Sequence, residues 1–415
     1  MESVLRKKIL IHTIAFNPDG VSTAYLYNDL ALGLRQNGYD IVVLTTTPHY
    51  NIVESELIKY NLKKFFFGLY FESNYEGIRV IHIPQKKFKS TLLRLISFVY
   101  WHIASFIFGL TVKNINFVLS PSPPLSIGLI SLMIAKIKGA KSIYNIQEIY
   151  PDLIINQGKL KSNFIIKILK ILEKLVYNKS DALTTIDQVF YDKIFSRVKN
   201  TDKLTIISNF VDTELFNNSH SDLNLPDCFR NSNEKFIIVY AGNIGIFQDW
   251  NPLIYASKKL INKNIEFWVI GEGSKKNYLK KVISKNNITN IKVFPYQNRK
   301  LMPVINNLAD VHFIISNENM ENEGFPSKVY TIMACSKPMV IVSGEGTPLH
   351  NFLKDKNCSE LITSNRNKEF LNSIIRLYKD KELRDILGRN GLRIIQREYS
   401  KNVVIKKYIN LIKKL

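Results

Sequence analysis

Short apolar runs, bounded by polar turns and separated by helical patterns, recur along the whole chain. "KILIHTI" (8–14) precedes a predicted helix over 22–36, where Leu26, Leu30 and Leu34 repeat at four-residue spacing and Gly38 supplies the stop. "DIVVLTT" (40–46), "FVLS" (117–120), "KSIYNI" (141–146), "ALTTI" (182–186) and "LTIIS" (204–208) extend this first series. A second series runs through "FIIVYAG" (236–242), "EFWVIG" (266–271), "IKVF" (291–294), "VHFIIS" (311–316) and "KPMVIV" (337–342). Runs this short and this uniformly apolar predict strands of parallel sheets covered on both faces by helices. Two series predict an α/β protein of two doubly wound, Rossmann-like domains. The polar stretch "RVKNTDKL" (197–204) places the boundary between 1–203 and 204–397. The amphipathic, basic segment 398–415 is left to cap either domain.

A length of 415 residues and a hydrophobic fraction of 46% allow two cores of this kind. The net charge of +22 calls for an anionic partner: nucleic acid, a membrane surface or a phosphorylated substrate. Solvated lysines alone are the bland explanation. No aromatic–basic motif supports nucleic acid. Cys228, Cys335 and Cys358 form no paired framework, which suits a reducing cytoplasm. The seven histidines offer no pair at metal-binding helical spacing, so no metal is expected. "MESVLRKKILIHTI" reads as a route into a first strand rather than as a signal peptide. "TLLRLISFVYWHIASFIFGLTVK" (91–113), with Lys86, Lys87 and Lys89 upstream, admits three readings: an interfacial helix, a core helix or a membrane span. Three phenylalanines at 65–67 add to the same apolar, basic character.

In open α/β sheets ligands gather beyond the carboxyl ends of the strands. Four loops there carry glycine: "NPDG" with Gly20, "AGNIGIFQDW" with Gly242 and Gly245, "GEGSKK" with Gly271 and Gly273, and "ENEGFPSKVY" (321–330). Glycine lets a backbone approach an anion closely, although each also serves as a plain turn residue. In the last loop Glu323 precedes a helix, Pro326 suits its first turn, and Ser327 and Lys328 stand where its free N–H groups point outward. A lysine beside the positive end of a helix is tolerable when a polyanion such as a diphosphate lies between them.

At these loops the sequence resembles the retaining glycosyltransferases of family 4, which have the two-domain GT-B fold. The resemblance rests on "DGVSTAYLYNDLALGLRQNGYDIVVLTT", "IISNFVDTELF" (206–216), "VIGEG" and the stretch 309–340. "TPHYN" (47–51), "SPSPPLSIG" (120–128), "IQEIYPD" (146–152), "YAGNIG", "PYQNR" (295–299) and "PSK" are similar to a branch that builds O-antigen, capsule and exopolysaccharide, including transferases of aminodeoxy sugars such as fucosamine. The resemblance implies an acceptor-side first domain and a second domain that binds a nucleotide diphosphate sugar, with a UDP-sugar favoured. It implies a catalytic role for Glu323, which would read donor-sugar hydroxyls, and for Lys328 at the diphosphate. Thr331 stands where the family carries a second glutamate as ribose contact. Asn243 and Gln248 stand near the usual diphosphate-binding Arg and Lys. Gln147 replaces a common His, which moves attention to Glu148 as the third catalytic candidate. Tyr296 and Gln297 would meet the nucleobase, His49 and Asp152 the acceptor side, and His12 is expected to pack. No cofactor or metal is implied. The acceptor would be polyprenyl-diphosphate-linked or a saccharide, met by a peripheral protein on the inner, anionic face of the cytoplasmic membrane. Two other readings stay open: a sugar-nucleotide epimerase of the same fold, and a non-catalytic, degenerate polysaccharide- or membrane-binding protein.

Overall fold

The structure, a computed structural model, describes residues 6–50, 52, 60–85, 88, 90–217, 225–232, 235–318 and 325–415. It divides into two compact units, one of Met1–Asn209 with Lys401–Leu415 and one of Phe210–Ser400.

The first unit is built on a nine-stranded sheet. Its strands are β1 (Lys8–His12), β2 (Asp40–Thr46), β3 (Lys63–Phe65), β4 (Tyr70–Tyr75), β5 (Ile78–Ile83), β6 (Ile115–Pro121), β7 (Lys141–Ile146), β8 (Ala182–Thr185) and β9 (Leu204–Ile206), in the spatial order β3-β4-β5-β2-β1-β6-β7-β8-β9. From β5 to β9 every pairing is parallel, whereas β3 and β4 add antiparallel strands at one edge. The covering helices are α1 (Ser22–Gln36), α2 (Thr91–Thr111), α3 (Leu125–Lys138) and α4 (Asn163–Lys179). Helix α3 ends where Gly139 takes the left-handed conformation at φ 64°.

Two differences from the sequence reading have physical causes. The first is the boundary: Leu204–Ile206 pairs in register with Leu183–Thr185, so these residues finish the first sheet rather than open the second unit. The second is the edge formed by β3, β4 and β5, which the apolar-run criterion passes over because β3 and β4 are largely polar. Their local signal is "YEGI", a turn in which Glu76 and Gly77 have φ of 49° and 79°, the left-handed pair that a two-residue hairpin requires.

The second unit holds a six-stranded, wholly parallel sheet of β10 (Phe236–Ala241), β11 (Ile265–Ile270), β12 (Ile291–Phe294), β13 (Val311–Ile315), β14 (Met339–Val342) and β15 (Ser359–Ile362), in the order β12-β11-β10-β13-β14-β15. Helices α5 (Asn251–Lys259), α6 (Lys328–Ala334) and α7 (Arg366–Lys379) pack around it. Ile238, Phe267, Phe313, Val340 and Phe370 are fully buried in one core layer. Val329, Met333, Met339 and Ile341 are fully buried in another. Parallel strands bring the loops after β10, β11, β12 and β13 to one edge of this sheet. The terminal helix, α8 (Lys401–Lys414), belongs to the first unit, where Ile405 lies over Gly33 of α1.

Segment 91–113 forms α2, which packs on β2, β5 and α3 through Trp101, Ala104 and Ser105. That buried face covers the sheet of the first unit, while by length and composition the helix is also apolar enough to cross a membrane. Its opposite face is exposed and apolar.

Candidate functional site

At the carboxyl edge of the second sheet the glycines solve a packing problem. Gly242, Gly271 and Gly273 have φ of 143°, 149° and 154°, conformations that favour glycine. A Cβ on Gly271 would lie 1.9 Å from the Gly242 carbonyl oxygen, and one on Gly273 would lie 2.3 Å from that of Ile244. The two loops are also laced by backbone: Ile244 N–H donates to Glu272 O at 2.8 Å and Lys275 N–H to Ile244 O at 2.9 Å. Glycine at 271 and 273 therefore permits the nesting of loop on loop. Gly245 donates its N–H to Gln248 Oε1 at 2.9 Å, so this neutral side chain tethers the loop on which it stands. Gln248 also lines a cleft of about 350 Å³ with Trp250, Lys275, Tyr278 and Asn317.

Lys328 closes the site. Its Nζ sits 3.7 Å from the centroid of the Tyr240 ring, a cation–π contact. A Cβ on Gly242 would lie 2.6 Å from the same atom, so the loop glycine makes room for the ammonium. Tyr240 is held by its hydroxyl, which donates to Asn243 O at 2.6 Å. Burial pulls the Lys328 amine down to about 7, because taking a cation out of water without an anion beside it disfavours the charged form. Among the described residues no carboxylate pairs with it. Ser327 stands at the amino end of α6 and makes no side-chain capping bond. The Thr331 hydroxyl bonds the Lys328 carbonyl at 2.8 Å within the helix. Gln297 is half-buried and donates to Pro295 O at 3.0 Å, beside half-buried Tyr296. Glu323 lies outside the described residues, as do Lys86, Lys87 and Lys89 of the first unit. Sequence reasoning missed Tyr240, whose ring is hidden in an apolar run and has no signal of its own.

In the first unit the loops after β1 and β2 are joined by a buried carboxylate. Asp19 accepts from the backbone N–H of His49 and of Tyr50, each at 2.8 Å, and Gly20 N–H donates to Tyr50 O at 2.8 Å. Burial raises the Asp19 carboxyl above its usual range, against these hydrogen bonds. The His49 and Tyr50 rings pack at a tilt, with centroids 4.0 Å apart. His12 is buried and bonded to Ser131 Oγ at 2.9 Å, as a packed core histidine should be.

Beyond β6 and β7, Ser122 organises the backbone of the third candidate. Its Oγ accepts from Gln147 N–H at 3.0 Å and Glu148 N–H at 3.1 Å, and donates to Glu148 O at 2.7 Å. The Gln147 and Asn209 amides bond each other reciprocally at 2.9 Å. Burial raises the Glu148 carboxyl to about 7, and among the described residues no cation offsets it. Asp152 is differently placed. One of its oxygens pairs with Lys170 and the other with Arg197 at 2.5 Å, and Arg197 continues to Glu173 at 2.7 Å. These cations hold the Asp152 carboxyl below its usual range, despite burial acting the other way. Both oxygens are committed to a network that ties α4 to its neighbours.

Residues 227–393 match the family model described as Glycosyl transferases group 1. The matched residues lie within the second unit. Among curated proteins, the putative colanic acid biosynthesis glycosyl transferase WcaI of Escherichia coli K12 is 22% identical over 364 residues, covering 82% of this chain and 84% of that one. The probable glycosyltransferase WbjE of Pseudomonas aeruginosa is 24% identical over 225 residues, 52% of this chain and 54% of that protein. Among solved structures, HepE of Anabaena in complex with UDP and glucose superposes with a TM-score of 0.73 at 13% identity, covering 99% of this chain and all of that one. The fold of this chain is therefore GT-B, with two Rossmann-like units.

Proposed function

We propose that this chain is a retaining glycosyltransferase that moves a sugar from a nucleotide diphosphate sugar to a polyprenyl-diphosphate-linked or saccharide acceptor in the assembly of a cell-surface polysaccharide. The observation that carries the reading is the half-buried ammonium of Lys328, with no carboxylate partner among the described residues, beside Gly242 and the amino end of α6. Loss of contact with water draws that amine toward neutrality, and a bound diphosphate would supply a negative partner. The names of WcaI and WbjE support a polysaccharide product, and the UDP bound by HepE supports a UDP-sugar donor.

Breaking the bond between the anomeric carbon and the diphosphate oxygen leaves negative charge on the phosphate. Lys328, the N–H groups near Ser327 and the loop 243–245 would stabilise that charge, and no metal is required of them. In front-face attack the acceptor oxygen bonds the anomeric carbon as the diphosphate leaves, and the acceptor proton passes to the departing phosphate oxygen. Configuration is then retained. Glu148, with its carboxyl near neutrality, is suited to orient the acceptor hydroxyl or to assist that proton. The protein would work as a peripheral enzyme at the inner face of the cytoplasmic membrane, where a lipid-linked acceptor lies.

A panel of UDP-, GDP- and dTDP-sugars read by thermal shift tests the donor site. A donor at 100 times its Kd should add about 2.7 kcal/mol of stability, and Lys328→Ala should lose that gain while keeping its own unfolding cooperative. Equal stabilisation of wild type and variant would remove Lys328 from the site.

A further inference from the structure

Helices that cover a sheet normally turn a polar face to water. In the second unit α7 does so, exposing Asn367, Lys368, Asn372 and Lys379. Three neighbouring helices of the first unit do the reverse. On α2, Leu92, Ile96, Val99, Ile103 and Ile107 form an exposed stripe at intervals of three and four residues, on the side away from buried Trp101 and Ser105. On α4, Phe164, Ile168, Ile171 and Leu175 repeat the same spacing opposite buried Glu173, Val176 and Tyr177, with Phe164 74% exposed. Between them α3 exposes Met133 and Ile137. Contacts bind the three side by side: His102 of α2 to Ser126 of α3 at 2.7 Å, and Gly128 of α3 under Val176 of α4. Beside α2, the turn 66–68 holds Phe66 and Phe67 at φ of 43° and 56° with both rings in solvent. Bulky residues rarely adopt this conformation. Tyr100 ties that turn to α2 by donating to Leu69 O at 3.0 Å.

We infer that α2, α3, α4 and the turn 66–69 form one platform that sinks into the headgroup layer of an anionic bilayer. Charge chooses the occupant. The three helices carry Arg94, Lys136, Lys138, Lys167, Lys170, Lys174 and Lys179, against a single acid, Glu173, which is buried and paired. An apolar stripe flanked by lysines matches acyl chains below anionic phosphates. The inference deepens the membrane location proposed above and does not depend on the donor site.

The test is flotation of the full chain with vesicles of phosphatidylglycerol and phosphatidylethanolamine, against vesicles of phosphatidylcholine. Wild type should float with the anionic vesicles at least tenfold better. Val99→Glu/Ile103→Glu on α2 and Ile168→Glu/Ile171→Glu on α4 should each reduce flotation about tenfold, while Ile386→Glu in the second unit leaves it unchanged. Each variant should keep the wild-type circular dichroism and any donor-induced thermal shift. Loss confined to the α2 variant would overturn the platform and leave a single-helix anchor. Equal flotation with both vesicle types would overturn the role of the lysines. A wild type that floats with neither, yet dimerises through Ile168 and Ile171, would overturn the membrane reading as well and assign the face to a second copy of the chain.

Discussion

Lys328 shows how one residue couples protonation to binding. Its folded value of about 7 lies below the ordinary 10.5, so between these pH values the unfolded chain holds more protons than the folded one. Stability from this group is therefore poorest below pH 7 and recovers as pH climbs toward 10.5. Lys328→Met should be more stable than wild type near neutrality, with the gap closing at alkaline pH, as urea midpoints would show. Nucleotide diphosphate binding at pH 8 should take up a large part of one proton; calorimetric enthalpies that do not vary with buffer ionisation would refute this. Glu148 has the opposite sign. Its value is raised from 4.5 to about 7, so its stabilising state is the protonated one, present below 4.5 and lost as pH rises through 7. Glu148→Gln should flatten that fall in stability and, if the carboxyl assists transfer, lower kcat more than it changes KM for the donor. Gly271→Ala should cost roughly 1–3 kcal/mol or more, since the new methyl has only the Gly242 carbonyl to meet. The sequence made Lys328 and the glycines visible because they break local rules. Tyr240 breaks none, and only the folded chain shows the ammonium against its ring.

At the scale of elements, several apolar runs were legible almost to the residue: 22–36, 40–46, 141–146 and 291–294 stand in the structure as α1, β2, β7 and β12. Inner strands such as β2 announce themselves because helices cover both faces of the sheet and favour apolar side chains on each. β3 and β4 escaped because an edge strand mixes polar and apolar positions and relies on its turn for register. The two faces of α2 could not be separated in advance, since both are apolar and only packing tells the buried one from the exposed one. Two element-level predictions follow from contacts. Asp152→Asn leaves Arg197 and Lys170 half-paired in a partly exposed network, and should cost about 1–2 kcal/mol, between the exposed and buried limits for ion pairs. Gly33→Val should cost about 1–3 kcal/mol by overpacking, because even a methyl there would lie 1.8 Å from Ile405. Denaturant unfolding followed by fluorescence checks both.

For the molecule as a whole, composition pointed to an anionic partner without choosing one, because charge is a sum and partners are chosen by its placement. The chain with its +22 net charge concentrates one apolar, lysine-bordered face on the first unit and sets the ammonium of Lys328 against the Tyr240 ring in the second. The domain boundary was misplaced for a related reason: a strand of three residues is too short to declare its sheet from sequence. The terminal helix, left unassigned by its pattern, packs on α1. This has a consequence for biogenesis. A ribosome must finish all of 210–400 before it makes the segment that packs on α1, so the earlier half of the nascent protein waits, with Gly33 uncovered, for residues 401–414. Folding during translation should then complete the later half first, and stalled chains ending before 401 should be the ones that chaperones hold.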